Sequence, residues 1–365
     1  MKIPFVDLKL QYESLKNELD NAIQQVMDDC AFIGTASNKY VKAFEDQFAQ
    51  FLGAKFCMGC ANGTDALEIA LKALGVGPGD EVIVPALSWI ATSESVSTVG
   101  ATPVFVDIEP DYYTINPELI EAKITSATKA IIPVHLYGHP AAMDKIMPIA
   151  RKYDLKVIED CAQAHGAEIN GQKVGTIGDV GTFSFFPGKN LGAYGDAGGI
   201  VTNLPDIMTR CKMISQHGQL DKKHIHFIEG RNSRMDGIQA AVLSVKLPYL
   251  NQWTEKRIEH ANHYSRILSD KVNTPRTRNN CKHVFHLYVI ESDKRDALSA
   301  KLSQENIANA IQYPTALPFL DAYQKRGFTP LDFPIASEIT QKILSLPIFP
   351  ELTNQQVEFI SATIG

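Results

Sequence analysis

The sequence predicts an α/β fold: a large domain over residues 1–250, built on a mostly parallel mixed sheet flanked by helices, then a smaller α+β C-terminal domain over residues 251–365. Three observations carry this expectation. In the middle of the chain, short β-rich runs alternate with amphipathic helical segments, the order that builds parallel sheets with helices on both faces. From about Leu247 the alternation gives way to one long helical pattern and a mixed region. With 365 residues, 45% hydrophobic and 21% charged, the composition is that of a globular chain long enough for a large domain and an appendage.

The elements follow in order. The strand-like runs are EVIVPAL, TPVFVDI, KAIIPVHLYG, LKVIEDCA, VGTFSFF and GGIVTN, rich in β-branched and aromatic residues and mostly bounded by turn signals. Helical patterns fall between and after them at TDALEIALKALG, PELIEAKI, MDKIMPIARKYD and DGIQAAVLSVKL. The later region reads as a long helix at LNQWTEKRIEHANHYSRILSD, a strand at HVFHLYVI and a helix at RDALSAKLSQEN, with the N-terminal segment joining this smaller domain. No internal repeat or low-complexity tract is present.

Charge and cysteine usage narrow the function. A net charge of -6 argues against a nucleic-acid binder, whose footprint is usually basic. No run approaches the ~18 apolar residues of a membrane span and the start has no signal core, so the expected location is cytoplasmic, with no membrane partner. Six cysteines over this length do not make a disulfide framework. Cys57 and Cys60 form a CxxC, but no second ligand pair follows, and they read as small buried residues at a strand end rather than a zinc or redox site; no metal is expected.

The stretch SFFPGKNLGAYGDAGG, Ser184 to Gly199, sets Lys189 among glycines and aromatics with no countercharge nearby in sequence. A phosphate-binding P-loop fails twice, because Phe183 stands where the first glycine is required and Asn190 where Ser or Thr is. GDAGG does not fit a dinucleotide fingerprint. Two readings remain: an amine made reactive by desolvation, as in a Schiff-base lysine, or a structural lysine with a buried stem.

Other segments bear on that choice. In ANGTDALEIALKALG, Asn62 is a good N-cap, Gly63 permits close backbone approach, and the helix N-terminus with the Thr64 hydroxyl would bind a phosphate; a plain capped helix is the alternative. In LKVIEDCAQAHG, Asp160 falls at the carboxyl end of a buried strand, where α/β sheets place ligand-binding residues, although such an Asp is also a common helix cap. Strand alternation lets only one of Glu159 and Asp160 face a site there, and Gln163 could share its side. A reactive lysine, an anion cradle and a carboxylate for a ring nitrogen are what pyridoxal 5'-phosphate requires, with an aromatic side chain to cover the ring.

The strings FVDLKLQY, CANGTDAL, GPGDEVIVPALSWIATSES, VIEDCAQAHGA, GTFSFFPGKNLGAYGDAGG, His217-Gly218 and GRNSRMDGIQAA, in this order, resemble the DegT-type nucleotide-sugar aminotransferases over nearly the whole chain. These are pyridoxal-phosphate enzymes of the aspartate aminotransferase fold, type I. The resemblance implies that Lys189 forms the Schiff base and Asp160 pairs with the pyridine nitrogen. It assigns Gln163 to the ring oxygen, Trp89 to the ring face, and Gly63, Thr64 and Ser184 to the phosphate. It also implies a homodimer in which Asn232 of the partner subunit reaches the phosphate. Lys189 separates this chain from the family's dehydratases, which carry histidine at that position.

The implied reaction takes the amine of L-glutamate to the cofactor and then to a nucleotide-linked keto-sugar. The motif variants look most like members that aminate carbon 3 of UDP- or dTDP-sugars, as in amino-sugar and lipopolysaccharide O-antigen synthesis; amination at carbon 4 is the alternative. Arg234 is a candidate for the donor carboxylate, and Tyr313 aligns with a sugar-side tyrosine. Here the chain departs from the family: Gln312 replaces a histidine before Tyr313, and a second histidine is missing near Pro318 and Phe319, which makes the expected sugar pocket more apolar. The competing class is a non-catalytic, cofactor-binding regulator on the same fold.

Overall fold

The computed structural model describes residues 2–34, 38–220 and 224–365. Helix α1 (Leu8–Asp28) and helix α2 (Lys39–Leu52) precede strand β1 (Phe56–Cys60). Helix α3 (Gly63–Ala73), β2 (Glu81–Pro85), α4 (Ala91–Thr98), β3 (Thr102–Val106), β4 (Thr128–Ile131), α5 (Met143–Lys152) and β5 (Lys156–Asp160) follow. The main sheet is completed by β6 (Val180–Ser184) and β7 (Gly198–Thr202). Its order is β1-β7-β6-β5-β4-β2-β3. Neighbours from β6 to β3 pair in parallel, while β7 runs antiparallel to both β6 and β1. The strand-like runs of the sequence are thus strands of one mixed, mainly parallel sheet.

Alternation along the strands decides which face each side chain joins. On β5, Ile158 joins the core that includes Ala66, Leu67 and Leu71 of α3, whereas Val157 joins the opposite core that includes Ile146 of α5. Behind β6 and β7, Phe183, Phe185 and Val201 pack with Phe44 and Phe48 of α2 and with Ala240 and Leu243. Those last two belong to α7 (Gly237–Lys246), which comes after α6 (Pro205–Ser215).

The C-terminal region opens with α8 (Leu250–Leu268) and pairs β8 (Tyr288–Glu291) with β9 (Ile343–Leu346), between which lie α9 (Arg295–Gln304) and α10 (Pro334–Ile339); α11 (Asn354–Ile364) ends the chain. Tyr264, Tyr288, Leu302, Leu344 and Ile360 gather a separate core, to which the N-terminal Ile3 is added through its bridge to Ile307. The segment around Leu317, Tyr323 and Phe333 instead packs on the large-sheet core, so the two regions share a contact surface.

Two sequence expectations need correction. PELIEAKI is not an α-helix but two single 3₁₀ turns, Pro117–Leu119 and Glu121–Lys123. Asn116 and Pro117 make a good start, but i→i+3 bonds such as Ile120 N–H to Pro117 O tighten the chain before it enters β4. HVFHLYVI is strand only from Tyr288 onward; Phe285 has φ +43, which breaks the extended run.

Candidate active site at the carboxyl ends of the parallel strands

A cavity of about 520 Å³ opens where β5 and β6 end and α3 and α4 begin. Asn62, Gly63, Thr64, Trp89, Asp160, Gln163, Ser184, Lys189 and Tyr313 all line it. Crevices at strand carboxyl ends are where open α/β sheets hold ligands.

The anion cradle is built from the backbone. Asn62 caps α3 by accepting from the Asp65 amide at 2.8 Å, which leaves the Gly63 and Thr64 amides at the first turn without intrahelical acceptors. Gly63 lies so close to β6 that a Cβ there would meet Ser184 Cβ at 2.7 Å, and a Cβ at Gly198 would meet Asn62 O at 2.2 Å. Only glycine lets the helix entry sit against two strands. Arg231 holds the same turn from outside, with Nη2 at 2.6 Å from Asp65 Oδ1 and Nη1 on Glu68.

At the other side of the cavity, Asp160 is buried and accepts from the Ala162 amide at 3.1 Å and the Thr92 hydroxyl at 3.0 Å. Because the Thr92 proton goes to Asp160, the 2.8 Å contact between Thr92 and Ser88 is a Ser88 donation, and the two hydroxyls form an oriented chain. Burial pushes the Asp160 carboxyl upward, against these bonds and the nearby Lys189. Neither Ser88 nor Thr92 was singled out in the sequence; Thr92 lies in the first turn of α4 and Ser88 in the connection that leads to it from β2.

Lys189 is partly buried, and desolvation draws its amine down to about 8 against the attraction of Asp160. Tertiary structure therefore supplies the countercharge that is missing from the local sequence. Its Nζ has no hydrogen-bond partner among the described residues, while its backbone amide donates to Phe186 O at 2.8 Å. Gln163 is buried and oriented: Oε1 accepts from the Tyr137 amide at 2.7 Å, so Nε2 donates to the Tyr313 hydroxyl at 3.0 Å. The Tyr313 ring lies 5.7 Å from that of Trp89, which is 58% exposed at the mouth. Burial raises the Tyr313 phenol, so it stays protonated at neutral pH.

Two candidates do not line this cavity. Asn232 is exposed on a segment bridged to Gln216, and Arg234 lines a separate depression with Glu45 and Lys212. Another cluster, His135, Glu159 and Cys161, has metal-like proximity, but its histidine and carboxylate have no lone pair to spare. Glu159 accepts from Gly175, Ile177 and Gly178 amides at 2.7–2.9 Å and from His135 Nε2 at 3.0 Å, and His135 Nδ1 accepts from the Ala141 amide. Glu159 is a buried structural clamp facing away from Asp160. Cys57 and Cys60 are buried in β1, with thiols pushed up by burial.

The family model for the DegT/DnrJ/EryC1/StrS aminotransferase family matches residues 13–365. This chain belongs to that family. It is a pyridoxal-phosphate-dependent sugar aminotransferase, with the mixed sheet and flanking helices of that fold. A pleiotropic regulatory protein of Geobacillus stearothermophilus is 46% identical, the match covering 100% of this chain and 98% of the relative. A UDP-N-acetyl-3-dehydro-alpha-D-glucosamine 3-aminotransferase of Acidithiobacillus ferrooxidans is 43% identical, covering 99% and 97%. The structure of DesV from S. venezuelae in complex with a ketimine intermediate superposes with TM-score 0.96 at 38% identity, covering 100% of this chain and 97% of that one. The cavity fits the cofactor: a glycine-permitted helix terminus for a phosphate, a buried carboxylate for a ring nitrogen, an amide donor and an unpaired amine line the same space.

Proposed function

We propose that the enzyme moves the amino group of L-glutamate to carbon 3 of a keto-sugar linked to UDP or dTDP, and that it works in the cytoplasm as a homodimer. The observation that supports this most strongly is the convergence of Lys189, Asp160 and the α3 terminus on one cavity. The acceptor class rests on relatives named for 3-amino sugars, such as the A. ferrooxidans enzyme.

When bound, the cofactor supplies an aldehyde carbon and an electron sink. The amides of Gly63 and Thr64, with the Thr64 and Ser184 hydroxyls, bind its phosphate. Asp160, oriented by the Ser88–Thr92 chain, would hold the ring nitrogen protonated by charge attraction in the buried site. Gln163 presents an N–H, not its oxygen, toward the ring oxygen, because Tyr137 occupies the carbonyl end. Trp89 covers the ring face and limits water access. Lys189, its amine drawn down to about 8 by burial, would hold the cofactor through that amine and would serve as the base and acid that moves a proton at the substrate carbon. Tyr313, whose hydroxyl accepts from Gln163, would donate its own proton to the sugar side.

In this reading Asn232 of the partner subunit acts on the phosphate, and Arg234 binds the donor carboxylate. The exposed apolar Phe32, Ile33, Ile225 and Phe227 near that segment support a subunit contact there. Residues 1–250 then form the cofactor-binding domain and 251–365 the smaller one.

A visible absorbance band from the cofactor-loaded protein should disappear on adding glutamate, and UDP- or dTDP-3-keto-sugars should then yield amino products by mass. The name of the G. stearothermophilus relative favours one alternative, a cofactor-bound regulator; a band that glutamate leaves unchanged would select it. Hybrid dimers of Lys189→Ala and Asn232→Ala chains should recover one intact site, and no recovery in verified hybrids would place Asn232 outside the partner's site.

A further inference from the structure

Behind the loop that carries Lys189 lies a second buried lysine. Lys246, the last residue of α7, is 0% exposed. Its Nζ donates to the Gly192 carbonyl at 2.8 Å and stands 4.1 Å from the centre of the Tyr194 ring. It makes no ion pair among the described residues; Glu351 is the acidic group whose charge reaches it. A buried ammonium without a paired carboxylate is costly, and here a carbonyl and an aromatic face hold it.

Seven residues earlier, on the same face of α7, Gln239 accepts the Tyr194 amide at 2.8 Å. Its Nε2 would lie 2.8 Å from a Cβ at Gly195. The loop between is folded tightly on itself: Lys189 N–H bonds Phe186 O, Ala193 N–H bonds Phe185 O, and a Cβ at Gly192 would come within 2.3 Å of Pro187 O. Whatever holds residues 192–195 therefore holds the turn at 187–189.

We infer that Lys246 and Gln239 are positioning residues for Lys189, gripping its loop from behind so that the amine reaches into the cavity from a fixed backbone. The inference rests on the proposed role of Lys189 as the cofactor-attaching amine. That amine must leave and return to the same carbon in every turnover, and a backbone anchored outside the cavity leaves the side chain free to move while its base stays still.

Wild type, Lys246→Met and Gln239→Met would be stripped of cofactor, re-exposed to limiting pyridoxal phosphate, reduced with borohydride and peptide-mapped at a temperature well below each protein's own melting midpoint. The fraction labelled at Lys189 should fall about tenfold in Lys246→Met and by a smaller factor in Gln239→Met, as expected for losing a charge-assisted and a neutral hydrogen bond. After reloading at saturating cofactor, kcat should fall with KM for glutamate unchanged. If Lys246→Met does not fold, Gln239→Met decides. Wild-type labelling and kcat in the folded variants, even with a lowered melting point, would make both residues merely structural and overturn the inference. A wild-type protein unlabelled at Lys189 would sink the reading of Lys189 itself, and the clamp with it.

Discussion

Lys189 and Lys246 are both drawn down to about 8 by burial, from opposite sides of one loop. Lys246 is wholly enclosed, with its Nζ committed to the Gly192 carbonyl and the Tyr194 ring. Lys189 opens on the cavity, its Nζ has no hydrogen-bond partner among the described residues, and it feels Asp160 across the space. Lowered basicity is thus shared by a reactive amine and a structural one. What separates them is access and an uncommitted lone pair. β5 repeats the lesson with acids: Glu159 has its oxygens filled by four donors, whereas the next residue, Asp160, faces the cavity.

The largest effect that could break the comparison is at Lys189. Lys189→Ala should lower amino-sugar formation by at least about 10³-fold and remove the borohydride label, with circular dichroism unchanged. Retention of even a tenth of wild-type turnover would place the chemistry elsewhere. Next come the two acids. Glu159→Ala should cost about 3–5 kcal/mol in urea denaturation, because three amides and His135 lose a buried acceptor. Asp160→Asn should leave stability within about 1 kcal/mol yet slow turnover about 10²-fold. Similar stability losses in both variants would erase the distinction.

The smallest effect is in pH. A lysine whose folded pKa lies below its unfolded value of about 10.4 carries a stability penalty that is fully present below the folded pKa and is relieved as pH rises to the unfolded one. The stability of wild type minus that of Lys246→Met should therefore rise by about 3 kcal/mol between pH 8 and 10.5, at about 1.36 kcal/mol per pH unit. In the same window the label at Lys189 should climb as pH passes about 8, well before ordinary lysines react. A flat difference curve would mean that Lys246 titrates normally.

Much of this was legible in one dimension. The six sheet strands between residues 81 and 203 announced themselves by short β-rich runs, α3 by its Asn62 cap and apolar stripe, and Asp160 by its place at a strand end. PELIEAKI misled because an apolar period over eight residues is too short to choose between α and 3₁₀ closure. Thr92 and Tyr137 went unread because each acts through a partner at least 26 positions away, Asp160 or Gln163, and Ser88 because it acts through Thr92. Lys246 looked like any lysine at the end of a helix.

The sequence alone determined the layered architecture, the family motifs and the glycines that let α3 press against two strands, since these depend on local backbone preference and on periodicities of two and 3.6. Only the tertiary structure decided that Asp160 answers Lys189, that Gln163 must offer its amide hydrogens, and that one buried lysine is open while the other is gripped. Those outcomes depend on which distant groups share a few ångströms of poorly solvated space, and burial and hydrogen-bond saturation are properties of that shared space rather than of any residue's neighbours in the chain.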